Sequence, residues 1–273
     1  MTALTAAATE LKKHIRILFV LIKNCMMAQL EFRSNFISGL LVESGYTVVT
    51  TLYAFVVYQS GVRTLELPQE SILVFVGTYA LLNGIYVCFF LMNFIQLPQY
   101  IRMGTLDLLV TKPVSLQFIA TLRYVDIGKF IPNLIAGSVL VGWGWTHSGF
   151  DADFLTIAGY LLFLSIAVIL TYCVMLLPML LSFWFVNAHA IPELTHSIWD
   201  FNCMPMTIFH PWIQRIGLFV VPVFVITNFS PLYAAGELDR HLMLWAACAA
   251  VLFPLLTRLV WKQALKRYVS SGG

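Results

Sequence analysis

Six long apolar runs leave this chain of 273 residues little choice of fold. They lie at Phe36–Tyr58, Ile72–Leu97, Gly128–Thr146, Leu155–Phe185, Ile216–Ala235 and Leu242–Trp261. A helix of about 20 apolar residues rises about 30 Å, the depth of a bilayer's hydrocarbon layer. A helix on a soluble core needs a polar face, and these runs have almost none. Sixty per cent of the residues are apolar and 11% are charged, with mean hydropathy +0.84, outside the range of a soluble domain of this size. Strands of a β-barrel would cross in about ten residues with alternating polarity, a pattern absent here. The chain therefore reads as an all-α polytopic membrane protein with six transmembrane helices. Residues 1–35 form an N-terminal arm, 36–263 the transmembrane domain and 264–273 a short tail.

Basic residues set the orientation. Lys12, Lys13, Arg16, Lys23 and Arg33 precede the first run; Arg102, Lys112, Arg123 and Lys129 lie between the second and third; Arg258, Lys262, Lys266 and Arg267 close the chain. The alternate connections hold only Arg63 and Arg240, beside Glu66, Glu70, Asp151, Asp153, Glu237 and Asp239. Cytoplasmic loops carry the excess of Lys and Arg, so both termini and the connection after the second run are expected in the cytoplasm. The connection Asn187–Gln214 is expected there too, although it offers only Glu193, Asp200 and three histidines.

The N-terminal arm lacks the short apolar core and small-residue site of a cleavable signal. Ile15, Leu18, Phe19, Ile22 and Met26 share helical spacing, while Lys13, Arg16, Lys23 and Asn24 fall mostly elsewhere. That pattern suggests a helix lying along the inner membrane surface. Cys25, Cys88, Cys173, Cys203 and Cys248 are odd in number and form no Cys-x-x-Cys pair, so free thiols are expected.

The most specific local signal is the compact polar segment Gln99–Gln117, QYIRMGTLDLLVTKPVSLQ. It carries the charges Arg102, Asp107 and Lys112, breaks at Gly104 and Pro113, and holds the short turn Leu106-Asp107-Leu108-Leu109 after Thr105. Its Arg-x-Gly-Thr-Leu-Asp…Lys-Pro pattern resembles the cytoplasmic elbow after the second membrane helix in permease subunits of type-2 ABC exporters. The C-terminal Trp261-Lys262-Gln263-Ala264-Leu265-Lys266-Arg267-Tyr268, closing on Ser270-Ser271-Gly272-Gly273, is similar to the ending of one branch of that family. Pro205–Pro231, with Pro211-Trp212 and Pro222, resembles the same branch. Lys112 and Lys266 stand where the family often has arginine.

The resemblance implies a separate P-loop ATPase that binds ATP and Mg, with an elbow that carries its movement into the membrane. Arg102 and Lys112 would then make charge contacts, Asp107 would cap or pair locally, and Leu106, Leu108 and Leu109 would enter a groove on the partner. A blander account gives the two cations to lipid headgroups and Asp107 to a helix cap. The resemblance also implies a second permease subunit, identical or related, and a bacterial inner-membrane location. No nucleic-acid partner is indicated. The alternatives are a secondary transporter or channel working without an ATPase, which usually shows polar groups on several spans, and a non-transporting anchoring protein.

No phosphate-cradling Gly-x-x-x-x-Gly-Lys-Ser/Thr occurs: Gly128-Lys129 is followed by Phe130 and preceded by Arg123 where a glycine is required. ATP hydrolysis by this chain is therefore not expected, nor a cofactor of its own. His189, Glu193 and His196 have one-face helical spacing, but Pro192 interrupts them and no further ligand is near, so polar residues of a turn are expected rather than a metal site.

Glu43 is the one acidic residue well inside an apolar run, and Tyr46, Thr47 and Thr50 extend it into a polar stripe. A charge at bilayer depth costs about 3 kcal/mol, so it must face water or a partner. Two readings fit: a wall of the substrate path or subunit interface, or a carboxyl hydrogen-bonded to a neighbouring helix. Asn83 and Asn93 raise the same question. The fifth run holds Pro222 and Pro231 and must bend. Broken backbone at that depth needs cover by protein or water, which a re-entrant element before the last helix provides.

Overall fold

The computed structural model describes residues 2–59, 71–185 and 190–268. Arg63, Glu66, Glu70, His189 and Ser270–Gly273 lie outside them. The described chain is helical: α1 (Thr2–Glu31), α2 (Arg33–Gln59), α3 (Ser71–Ile85), α4 (Met92–Arg102), α5 (Asp107–Val110), α6 (Leu116–Leu122), α7 (Ile127–His147), α8 (Phe154–Leu180), α9 (Ala190–Asp200), α10 (Pro211–Phe219), α11 (Val223–Ala234) and α12 (Arg240–Arg267). A π-helical turn, Tyr86–Leu91, joins α3 to α4 without a break.

Four of these units are long and apolar enough to cross a membrane: Ser71–Arg102, Ile127–His147, Phe154–Phe183 and Arg240–Arg267. A fifth is reached only if α10 and α11, bent by 95°, count as one span. The cause of the bend is Val220-Val221-Pro222, where the proline has no N–H to continue the helix. Thus the run Ile216–Ala235, expected to bend at its prolines, is divided between two helices at nearly a right angle.

Glycine decides the closest helix pairing, α3 against α7. A Cβ built on Gly77 would meet the Val141 nitrogen at 2.7 Å, and one on Gly137 would meet the Gly77 oxygen at 2.9 Å. One on Gly144 would meet the Val74 nitrogen at 2.9 Å, and one on Gly84 the Asn133 Cβ at 2.8 Å. Gly77 and Gly84, like Gly137 and Gly144, recur after two helical turns, so each pair lies on one face. Small residues let backbones approach where no hydrophobic effect drives helices together.

α8 forms the other axis of the core, with α11 and α12 packed on it. Leu170, Met175, Leu176 and Met179 are fully enclosed, as are Phe224 and Phe229 of α11. Asp153 caps α8, and its bonds from the Thr156 hydroxyl and N–H hold its carboxyl below the ordinary range.

One segment departs from expectation. Asn187–Gln214 reads from its composition as a connection in water, yet its described part reaches the middle of the continuous helix Ser71–Arg102. The Trp199 indole donates to the Asn83 side chain at 3.2 Å and stacks on Tyr86 at 4.3 Å. Cys203 Sγ reaches the Tyr79 hydroxyl at 3.1 Å. Asn83 sits roughly 18 Å along the helix from Ser71, far from either end. The polar residues that suggested a loop, Glu193, His196 and Asp200, stay on the exposed face of α9, while Trp199 and Cys203 make the contacts with α3.

Replacing Gly137 by valine is expected to push α7 off α3 and destabilise the protein by about 1–3 kcal/mol. Gly142→Val, whose Cβ meets nothing within 4 Å, serves as the control and should leave the melting temperature in detergent unchanged.

Candidate functional site

The segment after α4 is a folded elbow built on its own buried residues. Gly104, at φ 69°, ends α4 in a conformation that L side chains disfavour. The Leu106 N–H then closes back on the Tyr100 carbonyl at 3.3 Å. Leu106 and Leu109 point into the core and are 0% and 4% exposed. Ser115 accepts the Phe118 N–H at 3.2 Å and starts α6. At its far end the elbow is clamped by Asn93, which accepts the Tyr124 N–H at 2.9 Å and donates to the Tyr124 carbonyl at 2.8 Å. The Asp126 N–H adds a bond to the Cys88 carbonyl, in the widened π turn, at 2.9 Å.

The outer surface of the elbow is the opposite in character. Met103 and Leu108 are 65% and 67% exposed, and Val110 is exposed with them. Arg102, Thr111, Lys112 and Pro113 are exposed beside them, and Thr105 and Asp107 are half-buried. The three leucines expected to dock together are therefore divided. Leu108 faces outward, whereas Leu106 and Leu109 hold the elbow to its own bundle. A cleft of about 340 Å³, walled by Ile95, Pro98, Gln99, Arg102, Phe183 and Pro192 among others, opens beside it.

Two other parts of the chain reach the elbow. α1 lies along its second arm: Gln29 donates to the Val125 carbonyl at 2.8 Å, and the His14 ring meets Phe118 edge-on at 4.8 Å. From the C-terminus, Tyr268 sets its ring across Phe183 at 6.3 Å, and its hydroxyl lies beside Asp107. Burial and then the Asp107 carboxylate raise the phenol's pKa.

The polar stripe of α2 forms a second site, closed by side chains from three other helices. Asn133 of α7 donates to Glu43 Oε1 at 2.7 Å, and Asn83 of α3 reaches the same oxygen at 3.5 Å. Thr47 and Asn83 both donate to Asn133 Oδ1 at 3.4 Å, and Trp199 of α9 donates to Asn83. Tyr46 and Tyr79 line one small pocket, and Thr50 folds back on the Tyr46 carbonyl at 3.0 Å. Of the two readings of Glu43, the structure supplies the hydrogen-bonded one directly. The sequence singled out Glu43 and Asn83 but missed Asn133 and Trp199. The available signal for Asn133 was an amide inside an apolar run. His196, of the expected polar turn, faces Asp200 at 3.3 Å.

A protein-family model described as "ABC-2 family transporter protein" matches residues 34–272, which takes in the elbow, the polar stripe and the C-terminal helix. The chain belongs to this family. No curated protein and no solved structure matches it. As an ABC-2 permease it is a multi-pass membrane component of a transporter, and its elbow and polar stripe are features of that membrane domain.

Asn133→Ala removes the closest donor to Glu43 and leaves a carboxylate oxygen short of a partner at depth. It should cost about 1–3 kcal/mol, read as a lower melting temperature. Glu43→Gln keeps an oxygen for Asn133 and should cost less in the same assay.

Proposed function

We propose that this ABC-2 permease forms half of the translocation path of an exporter and is driven by a separate P-loop ATPase docked on the elbow. The observation that carries the reading is the division of the elbow into an anchored inside and an exposed, apolar and basic outside. A loop that merely joined two spans would have no need of a buried leucine pair and an asparagine clamp. Met103, Leu108 and Val110 offer an apolar knob of the size that fits a groove, and Arg102 and Lys112 supply flanking charge. ATP and Mg are bound by the partner chain, and this chain contributes movement rather than chemistry.

The topology we infer has six crossings: α2, α3 with α4, α7, α8, the segment beginning with α9, and α12. α2 has 27 residues, roughly 40 Å of helix, and a broad exposed apolar face that includes Leu41, Val42, Val49 and Val56. α9 takes the place assigned from sequence to Ile216–Ala235, because Pro192 near its start shares the cleft beside the elbow with α4 and Trp199 near its end reaches Asn83. The bent pair α10 and α11 is then the re-entrant element. Trp245, near the start of α12, donates to the Leu218 carbonyl at the end of α10. The excess of Lys and Arg places the elbow and both termini in the cytoplasm, with α1 at the membrane surface and lipid around the bundle. The bacterial inner membrane is the expected setting.

One chain with a single polar stripe encloses no path by itself, so a second permease subunit, identical or related, completes it. Glu43, Tyr46, Thr47 and Thr50 would then lie at the path or at the boundary with that subunit.

The test is affinity purification of the tagged chain from its native membrane, followed by mass spectrometry. A stoichiometric P-loop ATPase is the expected companion. Leu108→Asp should lower its recovery at least tenfold while the variant inserts and melts normally. Leu106→Asp should instead fail to fold. Recovery of the chain alone under several mild detergents would favour a transporter or channel working without an ATPase.

A further inference from the structure

The end of α12, which runs into the C-terminal ending, and the elbow lie about 150 residues apart in sequence and meet in space. They meet twice. Arg258 of α12 donates to Gln117 Oε1, at the start of α6, at 2.7 Å. Ten residues on, and roughly 15 Å further along the chain, Tyr268 lies beside Asp107 of α5. The two contacts hold both arms of the elbow to one helix.

The surroundings make this a stiff connection. Gln117 also donates to the Tyr172 hydroxyl at 3.1 Å, and Thr121 bonds to the same hydroxyl at 3.1 Å, which ties the second arm to α8. Phe183, at the end of α8, is crossed edge-on by Trp261 at 6.1 Å and by Tyr268 at 6.3 Å. Trp261 and Ala264 are fully enclosed, so this end of α12 is seated in the core. The elbow is covalently continuous with α4 and α7. Through Arg258 and Tyr268 it is joined without covalent bonds to α12 and α8.

We infer that Arg258 and Tyr268 are positioning residues that make the end of α12 a second lever on the elbow, so that a push there moves α12 and α8 together with α4 and α7. The inference rests on the proposal that an ATPase docks on the elbow, since that partner supplies the push. Arg258 gives a charge-assisted bond to an amide, and Tyr268 lays its ring against Phe183 with its hydroxyl near Asp107. The Arg258 bond is polar and directional and lies outside the apolar core, so it holds a register that leucine packing alone leaves free to slide, while the Tyr268 ring seats the end of α12 against Phe183.

Spin labels at Lys112 and Lys262, both exposed, read the lever directly in the purified chain in nanodiscs. A single narrow distance distribution is expected in the otherwise native chain. Tyr268→Phe removes one hydroxyl and Arg258→Ala one donor, and the double variant should at least double the width of that distribution. Arg258→Lys should restore most of the narrow form. With the ATPase bound, the unlabelled double variant should lower kcat for ATP several-fold at unchanged KM and unchanged ATPase recovery, because the docking tip is intact. A broad distribution in the native chain overturns the inference, as does an unchanged width in a double variant whose melting temperature is native. If no ATPase is recovered with the native chain, the docking proposal fails, while the distances still decide whether α12 braces the elbow.

Discussion

Inside a bilayer a polar group has only the rest of the chain to turn to, and this constraint organises much of the molecule. Lipid offers no hydrogen bond, so an amide or carboxyl at depth looks to a neighbouring helix, and a hydroxyl to that or to a carbonyl of its own helix. Glu43 is met by Asn133 and Asn83, and Thr78 by Tyr160. Asn93 spends both ends of its amide on the Tyr124 main chain. Apolar contact between helices is only weakly selective in lipid, since leucine packs as well against a tail as against a leucine. The polar pairs therefore fix which helix lies beside which, and the glycines of α3 and α7 fix how closely.

The elbow shows the same economy in reverse. It leaves the end of one long helix at Gly104, returns to another at Asp126, and is held by buried leucines on one side and by Asn93 at its far end. What remains on its surface is a small apolar knob among cations. An element that must pass movement onward has to be stiffer than the connection it replaces, and the bonds from Asn93, Ser115 and Arg258 supply that stiffness from three different helices.

The elbow was legible in the sequence because glycine, proline and charge punctuate it locally. The long spans were legible because hydrophobicity is a sum over neighbouring residues. Glu43 stood out for the same reason, as a charge among apolar neighbours. Its partners did not, because Asn133 and Trp199 lie about 90 and 156 positions away and only the packing of α2, α7, α3 and α9 brings them near. α9 was read as part of a connection for a physical reason. Ala190–Asp200 carries Glu193, His196 and Asp200, and a reading by composition sends such a segment to water. Its inner face, Ile191, Thr195 and Trp199, is buried, so the polar content belongs to one side only. The prolines of the fifth run announced a break, but not that the break is nearly a right angle. The leucines of the elbow were read as equivalent because sequence alone does not say which way a four-residue helix faces.

The placement of α9 bears on how the protein is made. A helix of eleven residues with three titratable side chains gains little by partitioning into lipid on its own. Its site on the α3 surface, with Asn83 to receive the Trp199 indole and Tyr86 to stack on it, exists only after the earlier helices have entered and paired. Synthesis delivers them in that order, since α3, α7 and α8 all leave the ribosome before α9. On the proposed topology, insertion of this segment would be an assembly step templated by structure already made.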